Sequence, residues 1–204
     1  MARRLIAIDL DDVVAGFCPA FCEYANKVWG EAIHPGVYTE DWVGLFAIDG
    51  EEWQKRSDQV LQDAEFYEGL AVIDGAQEAL GKLRKDFDIV AVTSRHVAMK
   101  ETTWAWLEKH FPGLVRELHF LGAYESIDSN SSHHKTKDEI CLKLGVDYLI
   151  DDQPKHVASV HQAGVGAILF GDYSWNRAVE VDKGVKRAKD WGEVSKILKA
   201  KEER

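Results

Sequence analysis

Near its start the chain reads Leu5-Ile6-Ala7-Ile8-Asp9-Leu10-Asp11-Asp12-Val13-Val14, an apolar run that leads straight into three acids. The run is β-prone and nearly continuous in hydrophobicity. That pattern suits a strand covered on both faces, as in a parallel sheet, rather than a strand with one wet face. In an open α/β sheet the carboxyl ends of the strands share one edge, and ligands bind in the crevice outside it. Asp9, Asp11 and Asp12 fall on that edge. Taken alone, such an acidic pair at a strand end is more often a turn or a helix cap than a catalytic site.

Working outward, similar runs recur: Ile89-Val90-Ala91-Val92, a weaker Leu118-His119-Phe120-Leu121, Tyr148-Leu149-Ile150 and Ala167-Ile168-Leu169-Phe170. Between them, apolar residues repeat at helical spacing. Ala76, Leu80, Leu83 and Phe87 form one set, and Val97, Trp104, Leu107 and Phe111 another. Shorter helices are expected over Asp138–Leu144 and Pro154–Ala163, and Asp190 reads as the N-cap of a helix from Trp191 to Leu198. Alternating strands and helices predict an α/β fold, a doubly wound parallel, Rossmann-like sheet. Residues 17–71 break the rhythm. They hold Phe17, Phe21, Tyr24, Trp29, Tyr38, Trp42, Phe46 and Trp53, with helical patterns and little strand signal. They are expected to form a small helical cap inserted after the first strand, over a catalytic core of residues 1–16 and 72–204.

Composition narrows the classes of function. The 204 residues are 46% hydrophobic and 29% charged, ordinary for a globular protein. No apolar run approaches the roughly 20 residues that span a bilayer. The start, Met1-Ala2-Arg3-Arg4 followed by apolar residues, resembles a signal peptide. The acids at 9, 11 and 12 interrupt it, and no small-residue cleavage site follows, so a cytoplasmic protein without membrane partners is expected. The net charge of −10 argues against a nucleic-acid polymer as partner. The three cysteines, Cys18, Cys22 and Cys141, match no zinc spacing and read as buried thiols. The oligomeric state is left open, a homodimer included.

The residues that end each run locate the chemistry. The first run ends in Asp9-Leu10-Asp11-Asp12, the second in Thr93-Ser94-Arg95-His96, the fourth in Asp151-Asp152-Gln153. Two acidic clusters and a hydroxyl thus converge on one edge. Carboxylates so crowded repel one another unless a cation sits between them, and hard oxygen donors of this kind suit Mg²⁺. Thr93-Ser94 also fits an N-cap for the helix near Val97, and His133-His134, among serines and Lys135, fits a polar loop better than a second metal site.

With these residues in place, the sequence resembles the haloacid dehalogenase-like (HAD) hydrolase superfamily. Ile6 to Asp11 match its first motif, Thr93 its second, Lys137 or alternatively Lys135 its third, and Asp151-Asp152 its fourth. The likeness spans the chain apart from the expected cap. Within the superfamily the chain is most similar to the 5'(3')-deoxyribonucleotidases, through Phe66-Tyr67-Glu68-Gly69-Leu70, Asp74-Gly75-Ala76, Thr93-Ser94, Leu149 to Asp152 and Tyr173-Ser174-Trp175-Asn176. The resemblance implies Asp9 as nucleophile toward phosphorus and Asp11 as acid/base. It implies Mg²⁺ on Asp9, Asp11 (through its carbonyl) and Asp152 with Asp151 beside it, and phosphate oxygens held by Thr93, Ser94 and Lys137. The substrate would be a small phosphorylated metabolite, a nucleotide first, with Phe17, Trp42, Phe46 and Trp53 as cap residues placed to meet it. The competing expectations are a phosphatase or phosphotransferase for another small substrate such as a sugar phosphate, and a non-catalytic phosphate- or partner-binding module. Two positions depart from the family. Asp12 stands where glycine is usual, and is expected either to orient a metal-bound water or to cap the next helix. Arg95 stands where proline is usual, and is expected to bind phosphate or to pair with an acid.

Overall fold

The computed structural model describes residues 3–121 and 135–200. His133-His134 lie outside the described residues. Six parallel strands form one sheet among them: β1 (Arg4–Ile8), β2 (Phe87–Thr93), β3 (Glu117–Phe120), β4 (Tyr148–Asp151), β5 (Gly166–Phe170) and β6 (Lys186–Ala188). Their order is β3-β2-β1-β4-β5-β6. The chain builds outward from β1 to β3 on one side, then crosses back to place β4 on the other. The reversal falls beside β1, so the crevice of this sheet opens at the end of the strand that carries Asp9.

Both faces of β1 are covered, which explains its unbroken hydrophobicity. Ile6 and Ile8 point to one side, among Phe21 of α1 (Phe17–Trp29), Leu80 of α5 (Ala76–Leu83), Trp106 of α6 (Lys100–His110) and Val194 of α9 (Trp191–Lys199). Leu5 and Ala7 point to the other, among Ile140 of α7 (Lys137–Leu144) and Val160 of α8 (Pro154–Gln162). Helices on both faces make the sheet doubly wound.

Between β1 and β2 the chain forms α1, α2 (Trp42–Phe46), α3 (Gly50–Leu61) and α4 (Ala64–Glu68) before returning through α5. Its exit and re-entry are stitched together, with Gly16 N–H donating to Ala71 O (2.8 Å) and Ile73 N–H to Val14 O (2.9 Å). Helix α1 buries Cys18, Phe21, Cys22 and Ala25, one face at helical spacing, and stops at Gly30, whose φ of 72° suits glycine. The thiols of Cys18, Cys22 and Cys141 are free and buried.

The structure corrects three details. Phe87 ends the helical periodicity but begins β2. The helix after β2 starts at Lys100; Val97–Met99 is a separate 3₁₀ turn, capped by the His96 ring and not by Thr93 or Ser94. The short edge strand β6 was not expected. No helix among the described residues is long and apolar enough to cross a membrane.

Candidate active site

β1 ends at Ile8, yet Asp9 N–H still reaches across to Ile150 O of β4 (2.9 Å), so Asp9 is held in register with that strand. The chain then curls tightly. The amides of Val14 and Ala15 both donate to Leu10 O (2.9 Å), and Asp12 N–H donates to Ala15 O. The curl needs φ of 57° at Asp12, a left-handed conformation that Asp tolerates better than most residues. The Asp12 carboxylate accepts the Cys18 N–H (2.9 Å) in the first turn of α1. Of the two roles open to Asp12, the helix cap is the one its contacts support. Its burial pushes the carboxyl up to about 8, offset in part by the Cys18 amide.

Lys137 is the first residue of α7. A reciprocal cap fixes its position: Thr136 Oγ1 accepts the Glu139 amide, and the Glu139 side chain accepts the Thr136 amide. Its ammonium lies 2.8 Å from Asp9 Oδ1 and 2.6 Å from Asp151 Oδ2, and the side chain is 1% exposed. Lys135 is exposed, so Lys137 is the lysine that reaches the acids. Burial alone would lower its affinity for a proton, but Asp151 and Asp9 more than reverse this and keep it charged. Asp151 Oδ1 accepts the Gln153 amide (2.9 Å), so both oxygens of that carboxylate are engaged within the protein.

Arg95 grips Asp11 with two of its nitrogens, Nη2 to Oδ1 at 2.6 Å and Nε to Oδ2 at 3.0 Å. Its third nitrogen donates to Thr103 Oγ1 (3.3 Å), and the guanidinium lies 5.0 Å from the centre of the Tyr67 ring. In this state Arg95 pairs with an acid. Thr93 is fully buried at the end of β2 and accepts the Arg95 N–H (3.1 Å); Ser94, not Thr93, lines the open cavity.

The donor set fits a hard divalent cation. Asp9, Asp151 and Asp152 each bring a carboxylate oxygen within 4.8 Å of the others. Burial pushes Asp9 and Asp152 above the usual carboxylate range; Lys137 pulls Asp9 back only in part, while the charges on Asp151 and Asp9 push Asp152 further. With Asp11 and Asp12 beside them, these acids outnumber the two buried cations, Lys137 and Arg95. Oxygen-only donors and an excess of negative charge are what Mg²⁺ neutralises.

A cavity of about 190 Å³ opens above these groups. Asp9, Asp11, Asp12, Ser94, Arg95 and Asp152 line its floor, and Phe17, Trp42, Trp53 and Tyr67 its roof. Phe46 does not reach it; that ring packs on Trp29 (5.9 Å) and Phe21 (6.3 Å) inside the helical segment. Tyr38, His96, Gln153 and His156 also line the cavity, beyond the residues expected from sequence. A strand-end position marks Gln153 and His96 in sequence, and Tyr38 is one of the aromatics of residues 17–71; nothing local marks His156.

The architecture defines the class first. A haloacid dehalogenase-like hydrolase from Streptococcus pneumoniae matches with a TM-score of 0.69 at 10% identity, over 96% of this chain and 98% of that one. A haloacid dehalogenase-like protein from Agrobacterium tumefaciens matches with a TM-score of 0.67 at 13% identity, over 98% and 100%. The D,D-heptose 1,7-bisphosphate phosphatase of B. bronchiseptica, solved with magnesium and phosphate, matches with a TM-score of 0.59 at 14% identity, over 97% and 99%. The fold is that of the HAD hydrolases. In sequence, the chain is 22% identical over 194 residues to "Putative nucleotidase YqfW" of Bacillus subtilis, covering 93% of this chain and 90% of that protein. The model of the family "5' nucleotidase, deoxy (Pyrimidine), cytosolic type C protein" matches residues 3–203, and the chain belongs to that family. It is an enzyme of the phosphatase and nucleotidase kind, acting on a small phosphorylated substrate.

Proposed function

We propose that this enzyme is a magnesium-dependent phosphomonoester hydrolase that works through a phosphorylated Asp9, with nucleoside and deoxynucleoside monophosphates as substrates. One observation carries the reading. A buried carboxylate paired with a buried lysine, Asp9 and Lys137 at 2.8 Å, lies at the base of a cavity whose opposite wall is aromatic.

Asp9 attacks phosphorus, an Asp9 O–P bond forms, and the ester P–O bond breaks. Asp11, protonated once Arg95 passes from it to the incoming phosphate, gives that proton to the departing alkoxide, then takes one from the water that hydrolyses the acyl phosphate, returning Asp9 and inorganic phosphate. Lys137 and Ser94 hold phosphate oxygens, with Thr93 behind them. Arg95 sets the orientation of Asp11 and is close enough to share the incoming phosphate. Mg²⁺, held by Asp9, Asp152 and the Asp11 carbonyl with Asp151 beside them, would offset charge on the phosphoryl oxygens. Preorganised charge of this kind carries most of the acceleration in phosphoryl transfer.

Residues 17–71 serve as the cap, with Phe17, Trp42 and Trp53 facing the leaving group; Phe46 is not part of that set. The family's cytosolic type supports a cytoplasmic location. The direct test is phosphate release from deoxynucleotides, ribonucleotides and sugar phosphates, with Mg²⁺ and with EDTA. Chelation is expected to abolish turnover, and nucleotides to outrun sugar phosphates. Equal rates across the panel would refute the nucleotide assignment.

A further inference from the structure

The stretch Tyr173-Ser174-Trp175-Asn176 comes after β5 and takes no part in the proposed chemistry, yet it touches three walls of the site. The Trp175 indole N–H donates to Asp152 Oδ2 at 2.7 Å. Asn176, fully buried, donates to Asp152 O (2.9 Å) and Phe170 O (2.8 Å), and its own oxygen accepts the Tyr173 amide (3.0 Å). The Tyr173 hydroxyl donates to Asp12 O at 2.7 Å, inside the curl that comes after Asp9. Ser174 Oγ reaches the helical segment, at 3.0 Å from Tyr38 O and 3.3 Å from Pro35 O. The Tyr173 and Trp175 rings stack at 4.6 Å, and Trp175 meets Tyr38 edge-on at 5.5 Å. Gly171 permits the arrangement: its φ is 85°, and a Cβ there would collide with the Tyr173 ring.

The donors on Asp152 are telling. Trp175 Nε1 and Gln153 Nε2 (2.9 Å) both bond Oδ2, one from the loop after β5 and one from the next residue in the chain. Two neutral donors on one oxygen restrain the carboxylate, and its other oxygen is left to a cation. Neutral donors fix the ligand without competing with the cation for its charge. A lysine in the same place would compete. Such partners behind a metal ligand typically govern about 10–100-fold in metal affinity.

We propose that Trp175, with Gln153 as the second donor, is the positioning residue that orients Asp152 toward Mg²⁺, and that the 173–176 loop is a clasp fastening this ligand to the Asp12 curl and the cavity wall at Tyr38. The inference rests on the Mg²⁺ assignment proposed for this site. Its test is titration of Mg²⁺ into the intact protein, monitored by calorimetry and by the rise in Tm, alongside the Mg²⁺ dependence of p-nitrophenyl phosphate hydrolysis. Trp175→Phe keeps the stacked ring and removes the N–H. It is expected to raise the half-saturating Mg²⁺ concentration about 10-fold, with KM for the ester unchanged at saturating Mg²⁺. Gln153→Leu, at a half-buried position, should shift Mg²⁺ affinity the same way by less. Ser174→Ala, which loosens only the arm to Tyr38 and Pro35, should leave Mg²⁺ affinity alone. If the parent binds Mg²⁺ and both Trp175→Phe and Gln153→Leu match it, the positioning role is overturned while the metal assignment stands. If the parent shows neither a Tm rise nor binding heat, the metal assignment falls and this inference with it.

Discussion

Across one cavity the protein presents two unlike surfaces. The floor, on the edge of β1, β2 and β4, is made of charge. Asp9, Asp11, Asp12, Asp151 and Asp152 are each bonded by a group from another stretch of the chain: Lys137, Arg95, the Cys18 amide or the Trp175 indole. The roof, in α1 to α4 and the loops between them, is made of rings. Phe21 stacks on Trp42 at 4.3 Å, Phe17 on Phe21 at 5.5 Å, and Phe66 meets Tyr67 edge-on at 5.1 Å. A floor of buried charge has no spare parts, because removing one member strands another in a poorly solvating site. A roof of ring contacts distributes its energy over many weak pairs, so one loss alters affinity more than chemistry. On the proposed function, turnover belongs to the floor and selection to the roof.

The largest effect should come from Asp9→Asn. The amide has no nucleophilic oxygen, so turnover of p-nitrophenyl phosphate with Mg²⁺ should fall at least about 10³-fold; an active variant removes Asp9 from its role. Lys137→Met should be nearly as severe, at about 10²–10³ in kcat. It should also unsettle the fold, since Asp9 and Asp151 lose their shared cation. Breaking a buried pair costs about 3–5 kcal/mol, or about 10 °C in Tm for a chain of this size. Differential scanning calorimetry in EDTA reads that loss; Mg²⁺ should restore part of it. A Lys137→Met protein as stable as the parent would show that the floor is less tightly balanced than its geometry says.

The same contrast governs how much of the molecule is legible in its sequence. The floor was legible. Buried parallel strands write continuous apolar runs, and the acids that end β1 and β4 stand directly after them. The lysine needed structure to choose between 135 and 137, because only the cap at Thr136 fixes which one opens α7. β6 escaped notice because three residues, two of them the exposed Lys186 and Arg187, carry no periodic signal. The roof was half legible. Its aromatics announced themselves, but composition does not tell which face of a short helix looks inward. Phe46 therefore went to packing, while Tyr38 and Tyr67 turned out to line the cavity. The clasp stands out in sequence only as the stretch Tyr173-Ser174-Trp175-Asn176 that carries part of the resemblance; its contacts, between residue 173 and residue 12 or between 175 and 152, leave no mark in local sequence.

Trp53 offers the sharper probe of the roof. It lines the cavity, and unlike Phe17, Tyr38, Trp42 and Tyr67 it makes no ring–ring contact among the described residues, so no other ring competes with a ligand for its faces. Stacking a base on an aromatic side chain contributes about 1–3 kcal/mol. Trp53→Ala should therefore raise KM for a deoxynucleotide by about 10-fold, leaving kcat in place. KM for deoxyribose 5-phosphate, which has no base to stack, should not move. Equal rises for both substrates would make Trp53 a wall residue without a role in selection.

The smallest effect concerns how the two surfaces are joined. Lys155 at the start of α8 meets Glu40 of the helical segment, a residue that lines the cavity, at 2.7 Å, with side chains 62% and 49% exposed. Exposed pairs contribute less than about 1 kcal/mol and are screened by salt. The roof is already fastened by backbone bonds at Gly16–Ala71 and by the Ser174 arm at Tyr38. Glu40→Gln should then shift Tm by less than about 2 °C and change KM for nucleotides little, at low or high salt. A salt-sensitive rise in KM would mean that the Lys155–Glu40 pair, and not the stitched base of the segment, sets how closely the roof sits over the floor.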